Sequence, residues 1–245
     1  MLKNGSFTEG WTNLPPTSGF LINQQPNFWQ LRWIEPGQSL FGAGDTAGGI
    51  PECVHKLSDQ LPPDEQLGGS NALILVGDVT YKIFHSGSPF GAELKQTITG
   101  LAPGTPATLT APVLVVLNNE TDPFGAESGV WVNGEGGWVN GGVMGNRSWF
   151  FHTVQFTVPD DGKAEIMIRV KSKWPRAKDF FIDGITLAAR AVPDDDAIFP
   201  IDNHPTTSDK VVVQIPAGLQ LVQTTCHTPG VVVVSVPEGV EIEIV

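Results

Sequence analysis

The sequence predicts an all-β chain folded as a sandwich of sheets, and three observations carry the prediction. The 245 residues include 28 Gly and 20 Pro, a load that breaks helices and supplies turns, while only 16% are charged. No segment repeats its apolar residues at the helical period. Residues 148–187 (SWFFHTVQFTVPDDGKAEIMIRVKSKWPRAKDFFIDGITL) read as three successive strands separated by turn chemistry. The chain is long enough to bury a substantial core.

Taken in order, residues 2–11 (LKNGSFTEGW) read as an opening strand with Phe7 in the core. Residues 14–67 are punctuated by PPTSG, EPGQS, GAGDTAGG and PPDE, so that only 28–34 reads as a strand there. An irregular stretch of this length in a compact domain serves binding or packing. Trp29, Leu31 and Trp33 share one face of that strand, which suits core packing. His55, without a second histidine nearby, reads as structural. Residues 71–84 give two short strands about Gly77-Asp78, and 92–98 gives another. After the turn Leu101-Ala102-Pro103-Gly104, the nearly unbroken apolar run 108–117 fits a central strand.

Residues 118–146 read as a glycine-rich loop in which Trp131-Val132-Asn133-Gly134 is repeated seven positions later by Trp138-Val139-Asn140-Gly141. Each Asn-Gly favours positive φ and a tight hairpin turn. Residues 149–158 are aromatic and β-branched, Pro159-Asp160-Asp161-Gly162 turns the chain, and 163–170 alternates. Ala164, Ile166, Ile168 and Val170 fall on one side; Glu165, Met167, Arg169 and Lys171 fall on the other. One face is core and the other wet. Residues 180–187 form a short apolar strand with a single carboxylate, Asp183, beside Gly184.

Beyond residue 191 the character changes. Residues 192–208 (VPDDDAIFPIDNHPTTS) are acidic and contain proline, as linkers do. In 209–245, strand, Pro216-Ala217-Gly218, strand is echoed 21 residues later by strand, Pro237-Glu238-Gly239, strand. Two such hairpins make a small β-element. It is too small to be stable alone, so it leans on the first domain or on another copy of itself. Its apolar runs and uncapped edges favour self-association as a homo-oligomer. The expected organisation is therefore a sandwich over 1–191, a linker over 192–208 and a β-element over 209–245.

Three of these stretches carry a family resemblance. The opening LKNGSFTEGW, the closing FFIDGITL and the middle AELKQTITGLAPGTPATLTAPVLVV resemble the frame of the jelly-roll carbohydrate-binding modules and their galactose-binding-like relatives, over residues 2–190. The resemblance implies a jelly-roll β-sandwich in which the opening and closing strands mark the two ends of one domain. It also implies a structural calcium held by the closing-strand Asp183 together with the backbone and a carboxylate of the opening strand. Here Thr8 stands where that acidic residue is expected, which leaves the adjacent Glu9 as the partner. The competing reading is that Asp183 caps a bulge or accepts backbone hydrogen bonds.

A sugar offers apolar CH faces for stacking and hydroxyls for hydrogen bonding, so a glycan site needs exposed indoles beside polar side chains. Trp131, Trp138, Trp149 and Trp174 are the candidate platforms, with Arg169 and Lys171 as donors and Lys173, Arg176 and Lys178 extending the basic run. The competing reading folds the tryptophans over the sandwich and leaves the basic run solvated. A net charge of −12 excludes a nucleic-acid or anionic-membrane surface, and no apolar run is long enough to insert in a membrane. No nucleophile elbow, zinc-protease helix, phosphate loop or paired-cysteine motif is present, so no enzyme is expected. Carboxylate pairing among Glu120, Asp122, Glu127 and Glu135 stays open to three-dimensional test. Cys53 and Cys226 imply neither a disulfide nor a metal site.

Two functions remain: a non-catalytic carbohydrate-binding adhesion or surface module, and a structural or assembly protein such as a virion decoration or surface-layer subunit. The opening motif begins close to Met1, leaving no room for a signal peptide and favouring the second. The expected location is extracellular or on a virion surface.

Overall fold

Alternating inward and outward side chains sort the strands into two antiparallel sheets packed face to face. A computed structural model describes residues 1–17, 22–42 and 44–191. The expected linker (192–208), the expected β-element (209–245) and Cys226 lie outside the described residues. A two-stranded ribbon pairs β1 (Trp11–Asn13) with β2 (Gln24–Pro26). The remaining strands are β3 (Gln30–Trp33), β4 (Glu52–Leu57), β5 (Val79–His85), β6 (Phe90–Ile98), β7 (Pro106–Val116), β8 (Ala126–Val132), β9 (Glu135–Asn140), β10 (Trp149–Thr157), β11 (Ala164–Ser172), β12 (Lys178–Ile182) and β13 (Thr186–Ala188). One sheet runs β10-β7-β12-β5-β4, with β13 also on β7; the other runs β3-β6-β11-β8-β9. The described chain is a jelly-roll β-sandwich. Helix is confined there to single turns at Gly141–Met144, Ser58–Gln60 and Pro123–Gly125.

The core lies between the sheets. Ile166, Ile168 and Val170 of β11 meet residues such as Val113, Val115, Phe180 and Ile182 of the facing sheet in one buried cluster. Each such side chain contributes roughly 1.5–3 kcal/mol by leaving water. Trp29 is fully buried and donates its indole N–H to the Asn4 carbonyl at 3.1 Å, and the Tyr81 hydroxyl donates to the Gln24 carbonyl at 2.7 Å. Trp33 packs against the same core from β3. The thiol of Cys53 is buried there and forms no disulfide among the described residues, its pKa driven far up by burial.

Several local expectations are corrected. Residues 2–11 are a series of turns rather than a strand, with Trp11 alone entering β1, because Asn4 and Phe7 take φ of 49° and 59°. Asn4 holds that geometry by accepting the Glu9 N–H at 2.8 Å and donating to the carbonyls of Gly10 and Asn27. Phe7 is core, as expected. Residues 71–77 are not a strand; they cross the outer face of the six-stranded sheet, where Leu73 packs on Leu114, Val116 and Phe181. Strand β4 lies inside a stretch expected to be irregular. The closing run is two strands, β12 and β13, broken at 183–185. Within the expected glycine-rich loop lie β8 and β9, joined by a turn at Asn133-Gly134, whose φ values are 52° and 85°. The second Asn-Gly is no hairpin turn: the Asn140 side chain accepts from the N–H groups of Gly142 and Val143 and caps a helical turn.

Candidate functional site

The outer face of the five-stranded sheet is built by the register of its strands. Arg32 lies opposite Glu93, Glu93 opposite Arg169, Arg169 opposite Gly129, and Gly129 opposite Trp138, a single row crossing all five strands. One row along, Lys171 lies opposite Glu127; on the other side, Met167 lies opposite Trp131. Period-two alternation puts all of these on the face away from the core. The even-numbered residues of β11 and β8 that flank them, Ile168, Val170, Val130 and Val132, are buried in the core.

Glycines make room for the indoles. A Cβ on Gly129 would collide with the Trp131 ring atom Cη2, so the indole lies over the backbone of its own strand. The rings of Trp131 and Trp138 meet edge to face, 5.1 Å between centroids and 78° between planes. Phe41 reaches in from the 35–50 loop to lie over Gly91, whose Cβ would approach its ring to 2.9 Å, and stands 5.7 Å from Trp138. The Arg169 guanidinium sits 4.7 Å from the Phe41 ring and 5.3 Å from that of Trp131, and Lys171 Nζ lies 4.7 Å from Trp138. Trp131 and Trp138 both keep part of their surface in solvent.

Ion pairs fix the polar part. Glu93, 7% exposed, receives Arg169 Nε at 2.6 Å and Arg32 Nε at 3.4 Å. Glu127 receives Lys173 at 2.7 Å and Lys171 at 3.0 Å, and Asp45 adds a contact to Lys171 at 3.5 Å. Burial alone would push the Glu127 carboxyl up, but hydrogen bonds and charge from Lys173 and Lys171 outweigh it and hold the group below the usual carboxylate range.

The structure thus unites Trp131, Trp138, Arg169 and Lys171 and separates them from the other two platforms. Trp174 sits beyond the end of β11, its ring packed on Gly125; its neighbour Lys173 connects to the face through Glu127. Trp149 belongs to the opposite sheet, where it packs in the cluster of Leu73, Leu114, Val116 and Phe181 and donates its indole N–H to the Ala72 carbonyl at 3.1 Å. Lys178 is fully buried rather than solvated, with Nζ 3.5 Å from Glu120 Oε2 and its pKa lowered by desolvation. Phe41, Arg32, Glu93 and Asp45 were not singled out by the sequence. Glu93 could have been, since it alternates with the apolar Ala92 and Leu94 on a strand that was legible.

The carboxylates offered for calcium are engaged elsewhere. Asp183 is fully buried at the break between β12 and β13. One oxygen accepts from Leu75 N at 2.7 Å and Val76 N at 2.9 Å, the other from its neighbour Gly184 N at 2.7 Å. Burial raises its pKa to about 6 against the opposing pull of these hydrogen bonds. Glu9 accepts the Asn4 N–H at 2.5 Å. Among the described residues no three His, Cys, Asp or Glu side chains cluster to hold a metal. A carboxylate ringed by N–H donors is arranged for hydrogen bonding, and this set does not fit a calcium cage.

No protein-family model matches the chain, and no curated protein matches it by sequence. Solved structures resemble it in three dimensions. One is TmCBM61 in complex with β-1,4-galactotriose, at 13% identity over 77% of this chain and 97% of that one, with a TM-score of 0.48. Another is the enzymatically active domain of bacteriophage CBA120 tailspike protein 4, at 14% identity over 77% of this chain and 21% of that one, with a TM-score of 0.44. A third is the CBM22-1 xylan-binding domain from Paenibacillus barcinonensis Xyn10C, at 11% identity over 66% and 94%, with a TM-score of 0.33. The likeness concerns architecture alone.

Proposed function

We propose that the chain binds carbohydrate on the outer face of its five-stranded sheet. The observation that carries this reading is the pair of half-exposed, edge-to-face indoles of Trp131 and Trp138, set on neighbouring rows of one sheet face with the donors Arg169 and Lys171. The indoles offer stacking surface for the CH face of a sugar ring, and the ion-paired donors are held ready for hydroxyls, so little ordering is left to do on binding. The module is read as non-catalytic, because Glu93 and Glu127 at the centre of the face are each engaged by two basic side chains. A glycan array on the full chain, followed by calorimetry of Trp131→Ala and Trp138→Ala on any glycan retained, tests the proposal. Wild-type binding lost in both variants supports it; wild-type affinity retained in both overturns it.

The sequence repeat in 209–245 favours a second role alongside the first, in which the C-terminal element joins copies of the chain into a surface or virion assembly. Light scattering on the full chain should report an oligomer. A monomer at high concentration removes this role and leaves the glycan site untouched.

A further inference from the structure

The ladder between β11 and β8 runs one step further than the strands themselves. The Lys173 N–H donates to the Gly125 carbonyl at 2.7 Å, continuing the register that pairs Lys171 with Glu127 and Ser172 with Ala126. Alternation turns Gly125 outward with Glu127 and Gly129, while Ala126 is buried in the core. The outer face therefore extends past the end of β11, and Trp174 lies on that extension.

Trp174 is seated there as Trp131 is seated on the sheet. A Cβ on Gly125 would collide with the Trp174 ring, just as one on Gly129 would collide with the ring of Trp131. Both indoles are half-buried, and among the described residues neither joins an apolar cluster of the kind that takes in Trp29, Trp33 and Trp149. Lysine stands beside the ring instead: Lys173 Nζ is 5.9 Å from the centroid of Trp174, as Lys171 Nζ is 4.7 Å from that of Trp138. Both lysines converge on Glu127, at 2.7 Å and 3.0 Å. The face along β8 thus reads indole, ion-paired polar middle, indole. Four residues of extended chain put the two glycine seats roughly 13 to 14 Å apart, further than one sugar ring reaches and about the span of three linked rings.

We infer that the ligand of this face is an oligosaccharide of about three or more linked rings lying along β8, with Trp174 as the stacking platform at its far end; this rests on the reading of the face as a glycan site. A single ring on Trp131 and Trp138 would leave Trp174 and the polar middle uncovered. A chain laid across the strands, from Trp138 toward Arg32, would miss Trp174 altogether. Laid along β8, a chain sets CH faces on the indoles at both ends and hydroxyls over Lys173 and Glu127 between them. The face then selects by length, taking the interior of a chain in preference to a lone sugar.

The test is calorimetric titration of the full-length chain with cello-, xylo-, manno- and β-1,4-galacto-oligosaccharides of one to six units. Within a series that binds, affinity should rise about tenfold between the single sugar and the length that bridges both seats, the upper end of what one added aromatic contact gives, and then level off. Trp174→Ala should flatten the rise and leave the affinity of the shortest sugar unchanged. Trp174→Leu, which keeps the Gly125 seat filled without an aromatic face, should do the same. The Trp174 indole N–H resonance should move with the bridging lengths and stay still with the single sugar. An affinity independent of length, a rise that survives both variants, or loss of the shortest sugar in Trp174→Leu each overturns the inference and leaves the Trp131 and Trp138 site standing. Binding of no member of any series removes that site and this inference together.

Discussion

The two outer faces of the sandwich use tryptophan in opposite ways. On the five-stranded sheet, the Trp131 ring lies over Gly129, and the two indoles meet each other, Phe41 and the basic side chains of Arg169 and Lys171 rather than an aliphatic cluster. On the six-stranded sheet, Trp149 is locked beneath residues 58–76, its N–H bonded to Ala72 and its ring among Leu73, Leu114 and Phe181. The residue type is the same and the role is set by what the register places beside it. An indole with a satisfied N–H and aliphatic neighbours stabilises; an indole edged by cations, with a free flank, is available to a ligand.

The contrast is broken most readily at Trp149. Trp149→Ala should destabilise the chain by about 3 kcal/mol, the low end for truncating a large aromatic because this ring is only partly buried, and it should leave glycan affinity on the opposite face unchanged. Denaturant unfolding and calorimetry read the two effects separately. Trp138→Ala should do the reverse, weakening glycan binding by about 1–3 kcal/mol with the unfolding midpoint little altered. If Trp138→Ala unfolds the chain instead, the five-stranded face is core and the two faces are alike.

Acid sharpens the comparison from inside the sandwich. Burial lowers the pKa of His55 and His152 from 6.5 to about 4, so the unfolded chain takes up their protons first and stability falls as pH drops from about 6.5 to about 4. Asp183 has the opposite sign: its pKa is raised from 3.8 to about 6, so the folded chain protonates first and gains stability as pH falls through that window. Two histidines act against one carboxylate, and the expected net result is acid destabilisation. Unfolding curves at pH 7, 5 and 4 should show it, with a shallower acid limb in His152→Gln. The smallest effect belongs to the rim of the binding face. The Lys95–Glu165 pair at 2.6 Å has side chains 34% and 46% exposed, so Lys95→Ala should shift stability by under about 1 kcal/mol, and a larger loss would mean the rim is structural.

What the sequence revealed follows from how local each signal was. The turn at Pro159-Asp160-Asp161-Gly162 and the uninterrupted alternation of β11 were legible, but the turn carries the chain from one sheet to the other, and the hairpin that two neighbouring strands suggested does not form. Arg169 and Lys171 were placed on the outer side of β11 for the same reason. The binding face as a whole was not legible, since Glu93 and Phe41 reach it through pairings across strands distant in sequence. The stretch 118–146 was read as a loop because glycine disfavours strands, yet Gly129 and Gly136 lie in strands whose neighbours supply the bulk. The opening segment was read as a strand from its resemblance, while Asn4 and Phe7 adopt positive φ that no alternation pattern announces. Asp183 satisfies the N–H groups of Leu75 and Val76, a contact between residues more than a hundred positions apart.

Gly129 also bears on how such a face could be retuned. Because the Trp131 ring rests where a Cβ would be, the height of the stacking surface is set by a residue that a ligand need never touch. Gly129→Ala would lift the indole away from the sheet and alter the depth available to a sugar chain, with every contacting side chain left in place. Mutagenesis confined to exposed aromatic and charged positions would therefore miss the spacer beneath them, and selection for altered glycan preference has most to gain from libraries that vary the two layers together.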